Sequence, residues 1–347
     1  MKKAVSMILA IFVVFAGLLP TVFAAENEYP IEAYFSEKGS HTVKTLTLDS
    51  GEKDYKHYKI WYPADLENTA AEYPVIIFNN GTGMRDDARD TVNMMNHFAS
   101  WGFICLTNDH TATGNGDSAS KGLNLLLSLN DSFDSIFYDK INTNAIGVTG
   151  HSQGGSATIN AASIGKYDNA TVYKSICTIS APHSELAASP LQNTPYDASK
   201  VEVPAFLIGG TGAFDAGTRT SSGITPLGIA MITNMKAISN DTVIIGRIKD
   251  SDHGDTQPKS TAYVTAWFMW TLLDDSFAAG AFTGDDPELY RNEKWQDVYN
   301  KQSTNLPENP DPYDPDAASE NIFTRLINAI RNLFAKIKEF FNGFFKG

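Results

Sequence analysis

Cysteine is nearly missing from this chain: only Cys105 and Cys177 occur in 347 residues. Two cysteines cannot build a disulfide framework, and no Cys/His cluster has metal-ligand spacing, so no metal site is expected. Each cysteine lies in a strongly apolar run, Phe103-Ile104-Cys105-Leu106 and Ile176-Cys177-Thr178-Ile179. There a free thiol behaves as a small hydrophobe, and two free thiols are expected. Positive charge is also scarce. Lys and Arg number 27 against 40 Asp and Glu, for a net charge of -13. That argues against a nucleic-acid partner, because phosphate binding needs a basic footprint. Internal repeats are absent.

One long apolar run is present, and it comes first. Lys2 and Lys3 precede Ala4 to Leu19, Pro20 breaks the run, and Val22-Phe23-Ala24 offers small residues before Ala25. This is the pattern of a cleaved secretory signal over residues 1–24, too short to read as a retained spanning helix. The expected localisation is therefore secreted, with association to the cell envelope as a further expectation from the tail described below.

Residues 41–62 hold two alternating, strand-like runs around Asp49-Ser50-Gly51, which reads as an antiparallel start. From Tyr73 the texture changes to short runs apolar on both faces: Val75 to Phe78, Phe103 to Leu106, Ala145 to Val148, Ser175 to Ile179, Ala205 to Ile208 and Val243 to Ile245. Such runs fit parallel strands covered by helices on each side. Amphipathic stretches such as Asp90 to Trp101 and Ser118 to Leu129 separate them, and Thr261 to Phe277 closes the series. The fold class is α/β, with a mostly parallel, doubly wound sheet.

The strongest local signal is Gly150-His151-Ser152-Gln153-Gly154, which follows the apolar strand Ala145 to Val148 and precedes a helix-compatible run from Ser156 to Ala162. A serine on a sharp strand-to-helix turn projects its hydroxyl beyond the sheet, and the flanking glycines remove side chains that would clash there. Ser152 is the expected nucleophile. It needs a base, and His253 lies after the strand Thr242 to Ile248, in Lys249-Asp250-Ser251-Asp252-His253-Gly254-Asp255. Asp215 is the first carboxylate after the strand Ala205 to Ile208, so it is the expected acid; Asp250, Asp252 and Asp255 are rivals. Two backbone amides are expected to form an oxyanion hole: that of Gln153, and that of Thr82 in Asn79-Asn80-Gly81-Thr82-Gly83-Met84. His110 and His183 follow other strands and are expected near the site, whereas the His151 side chain is read as leaving the turn in another direction.

With these residues in place the chain resembles the α/β-hydrolase superfamily. More narrowly it is similar to the lid-less branch that holds bacterial polyester hydrolases (cutinase-like enzymes), chlorophyllase-like proteins and dienelactone-hydrolase relatives. The likeness covers about residues 41–300 and rests on Tyr73 to Gly83, Phe98-Ala99-Ser100-Trp101-Gly102-Phe103, Asn108-Asp109-His110, Ile146 to Gly155, the Asp215 and His253 segments and Ala266 to Asp275. It implies a Ser-Asp-His triad, no cofactor and carboxylic-ester hydrolysis. Three departures stand out: Asn80 where many relatives carry histidine, Gln153 where polyester hydrolases usually carry methionine, and Ser152 where dienelactone hydrolases proper use cysteine.

About 60 residues separate Ser152 from Asp215 and about 40 separate Asp215 from His253, which leaves no room for a large cap domain. An open site suits short-chain or bulky, even polymeric, esters. The segment Ala181 to Asp197 is expected to wall the acyl side. Two rival readings are a surface-associated lipase and a non-catalytic cell-envelope interaction protein. The hydrolase domain is expected over residues 25–302, followed by a Pro- and Asp-rich linker over 303–319. In 320–347, Phe323, Leu326, Ile330, Leu333, Ile337, Phe340 and Phe344 recur at spacings of three and four opposite Arg325, Arg331, Lys336, Lys338 and Lys346. This reads as a basic amphipathic helix suited to membrane or envelope contact, with a coiled-coil oligomerisation helix as the alternative.

Overall fold

The computed structural model describes residues 28–314. The expected signal over residues 1–24 and the expected amphipathic helix over 320–347 lie outside the described residues. Nine strands form one sheet: β1 (Val43–Asp49), β2 (His57–Pro63), β3 (Tyr73–Asn79), β4 (Ile104–Asn108), β5 (Ile141–His151), β6 (Ser175–Ile179), β7 (Ala205–Gly210), β8 (Val243–Ile248) and β9 (Trp295–Asn300), in the order β1-β2-β4-β3-β5-β6-β7-β8-β9. The six strands from β4 to β8 in that order run parallel. β1 pairs antiparallel with β2 from Val43 opposite Pro63 to Asp49 opposite His57, and β9 closes the other edge antiparallel to β8. This is the α/β-hydrolase fold, mostly parallel and, among the described residues, without a large cap.

The helices follow from the sequence pattern. α1 (Pro30–Ser36), α2 (Arg89–Ser100), α3 (Asp117–Asp131) and α4 (Gln153–Ala161) are joined by three short helices, α5 (Ser184–Ala188), α6 (Ala213–Ala216) and α7 (Thr233–Ala237), and by the long α8 (Thr256–Leu273). Every residue of β3, β4 and β6 is buried, because helices cover both faces of the sheet. α8 starts five residues earlier than the expected Thr261, since Pro258 falls in its first turn, where no N–H partner is lost. It ends at Leu273 rather than Phe277, because Asp274 turns left-handed at φ 56°. Its Trp267 is buried and donates its indole N–H to the Ile176 carbonyl at 3.0 Å. Phe268 lies so close to Gly147 of β5 that a Cβ there would meet its ring at 2.5 Å.

Two elements carried no clear sequence signal. α1 is short, and its N-terminus is held by a distant buried carboxylate: the Ile31 and Glu32 amides donate to Glu288 at 2.7 Å each. β9 has a mostly half-exposed, polar sequence suited to an edge strand. Cys105 and Cys177 sit on β4 and β6, with two strands between them in the sheet, and both are buried and free. Of the linker reading, residues 303–314 are described. They form no helix or strand and lie along the hydrolase domain, with Leu306 packed against its core.

Candidate active site

Five neighbouring strands, β3, β5, β6, β7 and β8, end at one edge of the sheet, and the chemistry-bearing residues gather in the turns that leave it. In open α/β sheets this carboxyl edge is where ligands bind. Ser152 stands between β5 and α4 with φ 59° and ψ -126°, a left-handed conformation uncommon for a residue with a side chain. Close packing allows no other glycine pattern around it. A Cβ on Gly154 would fall 2.0 Å from the Asn79 carbonyl oxygen, and one on Gly150 would fall 2.3 Å from the Gly154 carbonyl oxygen. The strained turn persists because its neighbours over-determine it.

The structure brings Ser152, His253 and Asp215 together. His253 Nε2 lies 2.9 Å from Ser152 Oγ, and His253 Nδ1 lies 2.6 Å from Asp215 Oδ1. The Asp215 carboxyl is completely buried, and its second oxygen accepts from Ser180 Oγ at 2.5 Å and from the Gly210 amide at 2.8 Å. Burial pushes this carboxyl up. The charge of His253 and the bonds from His253, Ser180 and Gly210 outweigh that push and hold it below the usual carboxylate range. A hydroxyl bonded to an imidazole that is oriented by a buried carboxylate can lose its proton as it attacks an electrophilic carbon.

The three rival residues are engaged elsewhere. Asp252 Oδ1 accepts from the amides of Phe214, Asp215 and His253 at 3.0, 3.1 and 2.9 Å, so it ties the loop carrying Asp215 to the loop carrying His253. Asp255 accepts from the Asp252 amide, and the Asp250 amide donates to Thr211 Oγ1. The His253 carbonyl accepts from His151 Nε2 at 2.8 Å and from Thr256 Oγ1 at 2.9 Å. His151 therefore does not point away from the site: its ring centre is 4.7 Å from that of His253. Burial, with the charge of His253 behind it, pushes the His151 imidazole well below its usual value, so this ring is neutral and donates through Nε2. Phe214 meets the His253 ring edge-on at 5.1 Å.

Thr82 sits at the exposed apex of the loop after β3. That loop is folded by the Gly83 amide on the Thr111 carbonyl at 2.9 Å and the Met84 amide on the Gly81 carbonyl at 3.0 Å. Asn80 is buried and moors the loop to β4, donating to the Asn108 carbonyl at 2.6 Å. A Cβ on Gly81 would lie 3.2 Å from Ser152 Cβ, so the Gly81-Thr82 segment borders the serine. Gln153 is the first residue of α4, where backbone amides have no partner within the helix. Its side chain is buried beside Gly114 and Thr194, the latter part of the expected acyl-side wall. Among the described residues Gln153 Oε1 and Thr194 Oγ1, both buried, have no hydrogen-bond partner.

His110 stacks on Tyr55 at 5.0 Å, and the amide of His183, a buried residue, donates to the Ile224 carbonyl. Ser180, Thr256 and the roles of Asp252 and His151 went unforeseen. Ser180 and Thr256 carry no motif; Ser180 is marked only by following an apolar strand directly, at φ 49°. Among the described residues no group of three His, Cys, Asp or Glu side chains is arranged to hold a metal ion.

The chain finds no match among curated proteins. A family model described as PETase, PET hydrolase-like, matches residues 28–238, a span that includes Ser152 and Asp215 and stops short of His253. That span is more than half of the chain, and with the sheet and its carboxyl-edge site it shows that the chain belongs to the PET hydrolase-like family of ester-hydrolysing α/β hydrolases.

Proposed function

We propose that this protein is an exported serine esterase in which Ser152 is acylated, His253 serves as base and then acid, and Asp215 orients the imidazole and balances its charge. One observation carries the reading: the unbroken line from Ser152 Oγ through both His253 nitrogens to Asp215, at 2.9 and 2.6 Å. Ser152 Oγ attacks the ester carbonyl carbon and its proton passes to His253 Nε2. The carbonyl electron pair moves onto oxygen, where the amides of Gln153 and Thr82 receive the charge; one such donor is worth about 3–4 kcal/mol of barrier. Collapse of the intermediate breaks the bond to the alkoxy oxygen, and His253 hands that oxygen the proton. Water then repeats the cycle on the acyl-enzyme and releases the acid.

The absence of a large cap favours short-chain or bulky, including polymeric, esters. The basic start, apolar run and small residues before Ala25 favour export. The test is hydrolysis of p-nitrophenyl esters from acetyl to palmitoyl by the chain from Ala25 onward, compared with Ser152→Ala. Short esters should be preferred, and both turnover and fluorophosphonate labelling should vanish in the variant. Activity that survives Ser152→Ala overturns the mechanism, and a preference for palmitoyl replaces the esterase reading with the lipase one.

A further inference from the structure

We infer that residues 303–314 act as a clasp on the loop after β7 and so position Asp215, with Asp311 as the positioning residue. The inference rests on the proposed function in taking Asp215 as the group that orients His253.

The loop that carries Asp215 is poorly held by its own sequence. Between β7 and Leu227 it includes Gly217 and Gly223, which take left-handed φ of 87° and 74°. Glycine loses the most freedom on ordering, so such a loop depends on anchors outside itself. The loop folds back until the amides of Ile224 and Thr225 donate to the Phe214 and Asp215 carbonyls, at 2.9 Å each. A Cβ on Gly223 would fall 2.5 Å from the Asp215 carbonyl oxygen, so the returning segment lies directly on the backbone of the acid. Asp252 holds the other side of the same two residues through their amides, at 3.0 and 3.1 Å. Asp215 is thus gripped between Asp252 and the segment 224–225. Inward, that segment is tied by Thr225 Oγ1 on the Ala181 carbonyl at 2.7 Å and by the His183 amide on the Ile224 carbonyl at 2.9 Å.

The strap supplies the outward ties, at the base of the loop and at its tip. At the base, the Asp311 carboxylate accepts from the amides of Gly228 and Ile229 at 2.7 and 2.9 Å, three and four residues after Thr225. These amides open the helical stretch Leu227–Ile232 that runs into α7, where the first N–H groups have no partner within the helix. At the tip, the Asp314 amide donates to the Arg219 carbonyl at 3.1 Å, and its carboxylate lies 3.6 Å from the Arg219 guanidinium. Arg219 belongs to the exposed Thr218–Ser221 turn. The strap is itself anchored, because Leu306 packs on the core cluster that includes Leu227, Ala230 and Met231. The seat leaves no slack, since a Cβ on Gly228 would meet both Asp311 and Pro310 at 2.6 Å. From Asp311 the path to His253 therefore crosses the Gly228 and Ile229 amides, a short length of chain, the Thr225 amide and Asp215.

The test uses the chain from Ala25 onward with Asp311→Ala, Asp311→Asn and, as a control, Glu308→Ala, an exposed acid of the same strap. Hydrolysis of p-nitrophenyl acetate is measured per active site, counted by fluorophosphonate titration. Proton NMR follows the His253 Nδ1–H resonance, which lies far downfield while that proton is held against Asp215. Misplacing a reacting group by about 1 Å can cost about a hundredfold in rate, and by half as much about tenfold. Asp311→Ala should therefore lower kcat about tenfold with KM within about twofold, and should move the Nδ1–H resonance. Asp311→Asn keeps a neutral oxygen for the same amides, with bonds about half as strong, and should recover kcat to about a third of the parent. Glu308→Ala should match the parent. The inference is overturned by Asp311→Ala with parental kcat or an unmoved resonance, by an equal loss in Glu308→Ala, or by a loss confined to KM. If Asp311→Ala does not fold, Asp311→Asn decides, and parental kcat with an unmoved resonance there overturns the clasp. If the parent cleaves no ester, the proposed activity falls and the resonance alone decides the clasp.

Discussion

Ser180 provides the sharpest test of how the site is built, because it touches neither Ser152 nor His253. Its hydroxyl donates to Asp215 Oδ2 at 2.5 Å in a fully buried setting, and it lies 2.8 Å from Thr256 Oγ1. In Ser180→Ala the Cβ is kept, so the left-handed φ of 49° costs the same in both proteins and the change isolates the hydroxyl. A hydrogen bond to a charged group contributes about 1.5–3 kcal/mol. The Gly210 amide still holds the same oxygen at 2.8 Å, so the carboxylate stays partly anchored. If the lost energy falls on the transition state, where the imidazolium leans on Asp215, kcat should drop about ten- to hundredfold, at about 1.4 kcal/mol per tenfold. KM should move little, because Ser180 has no reach to the acyl or alcohol group. The assay is steady-state hydrolysis of p-nitrophenyl acetate beside a thermal melt. A folded Ser180→Ala enzyme with kcat within twofold of the parent refutes the argument that Asp215 must be held from its far side.

Gln153→Met should raise the melting temperature by about 2–4 °C, since it removes a buried amide oxygen without a described partner worth about 1 kcal/mol or more. It should also shift preference from acetyl toward hexanoyl esters; a lower melting temperature would contradict the packing described here. Gly147→Val drives a side chain into the Phe268 ring, where a Cβ alone meets it at 2.5 Å. It should cost about 1–3 kcal/mol by denaturant titration and leave turnover per folded molecule unaltered. Burial holds the imidazoles of His97, His110 and His183 below their usual value. The unfolded chain takes up these protons near pH 6.5 while the folded chain does not, so stability is full above that pH and is lost as pH falls below it. Melting temperature should therefore decline between pH 7.5 and 5, and His97→Gln should flatten the slope; a slope that steepens counts against buried neutral histidines.

The parallel strands were readable because a strand buried on both faces must be largely apolar, and short runs of that texture recur between the amphipathic stretches. Ser152 was readable for a local reason too: its turn demands glycines at two fixed positions. The acid was harder. Asp215, Asp250, Asp252 and Asp255 are equally acidic in sequence, and only the folded loops separate the carboxylate facing His253 from the one gathering three amides. His151 was misjudged, because the direction of a side chain on a strained turn depends on what the next loop offers it. Ser180, α1 and β9 all draw their meaning from partners far along the chain, which periodicity does not register.

The grip of Glu288 on α1 has a consequence for the order of assembly. The amides it satisfies lie 257 and 256 residues earlier, and Tyr263 donates to the same carboxylate at 2.9 Å. A chain synthesised from its N-terminus exposes Pro30–Ser36 long before its clasp exists. The first helix of the domain is thus among the last to be consolidated, and a protein interrupted anywhere before residue 288 carries a frayed beginning as the signature of its missing end.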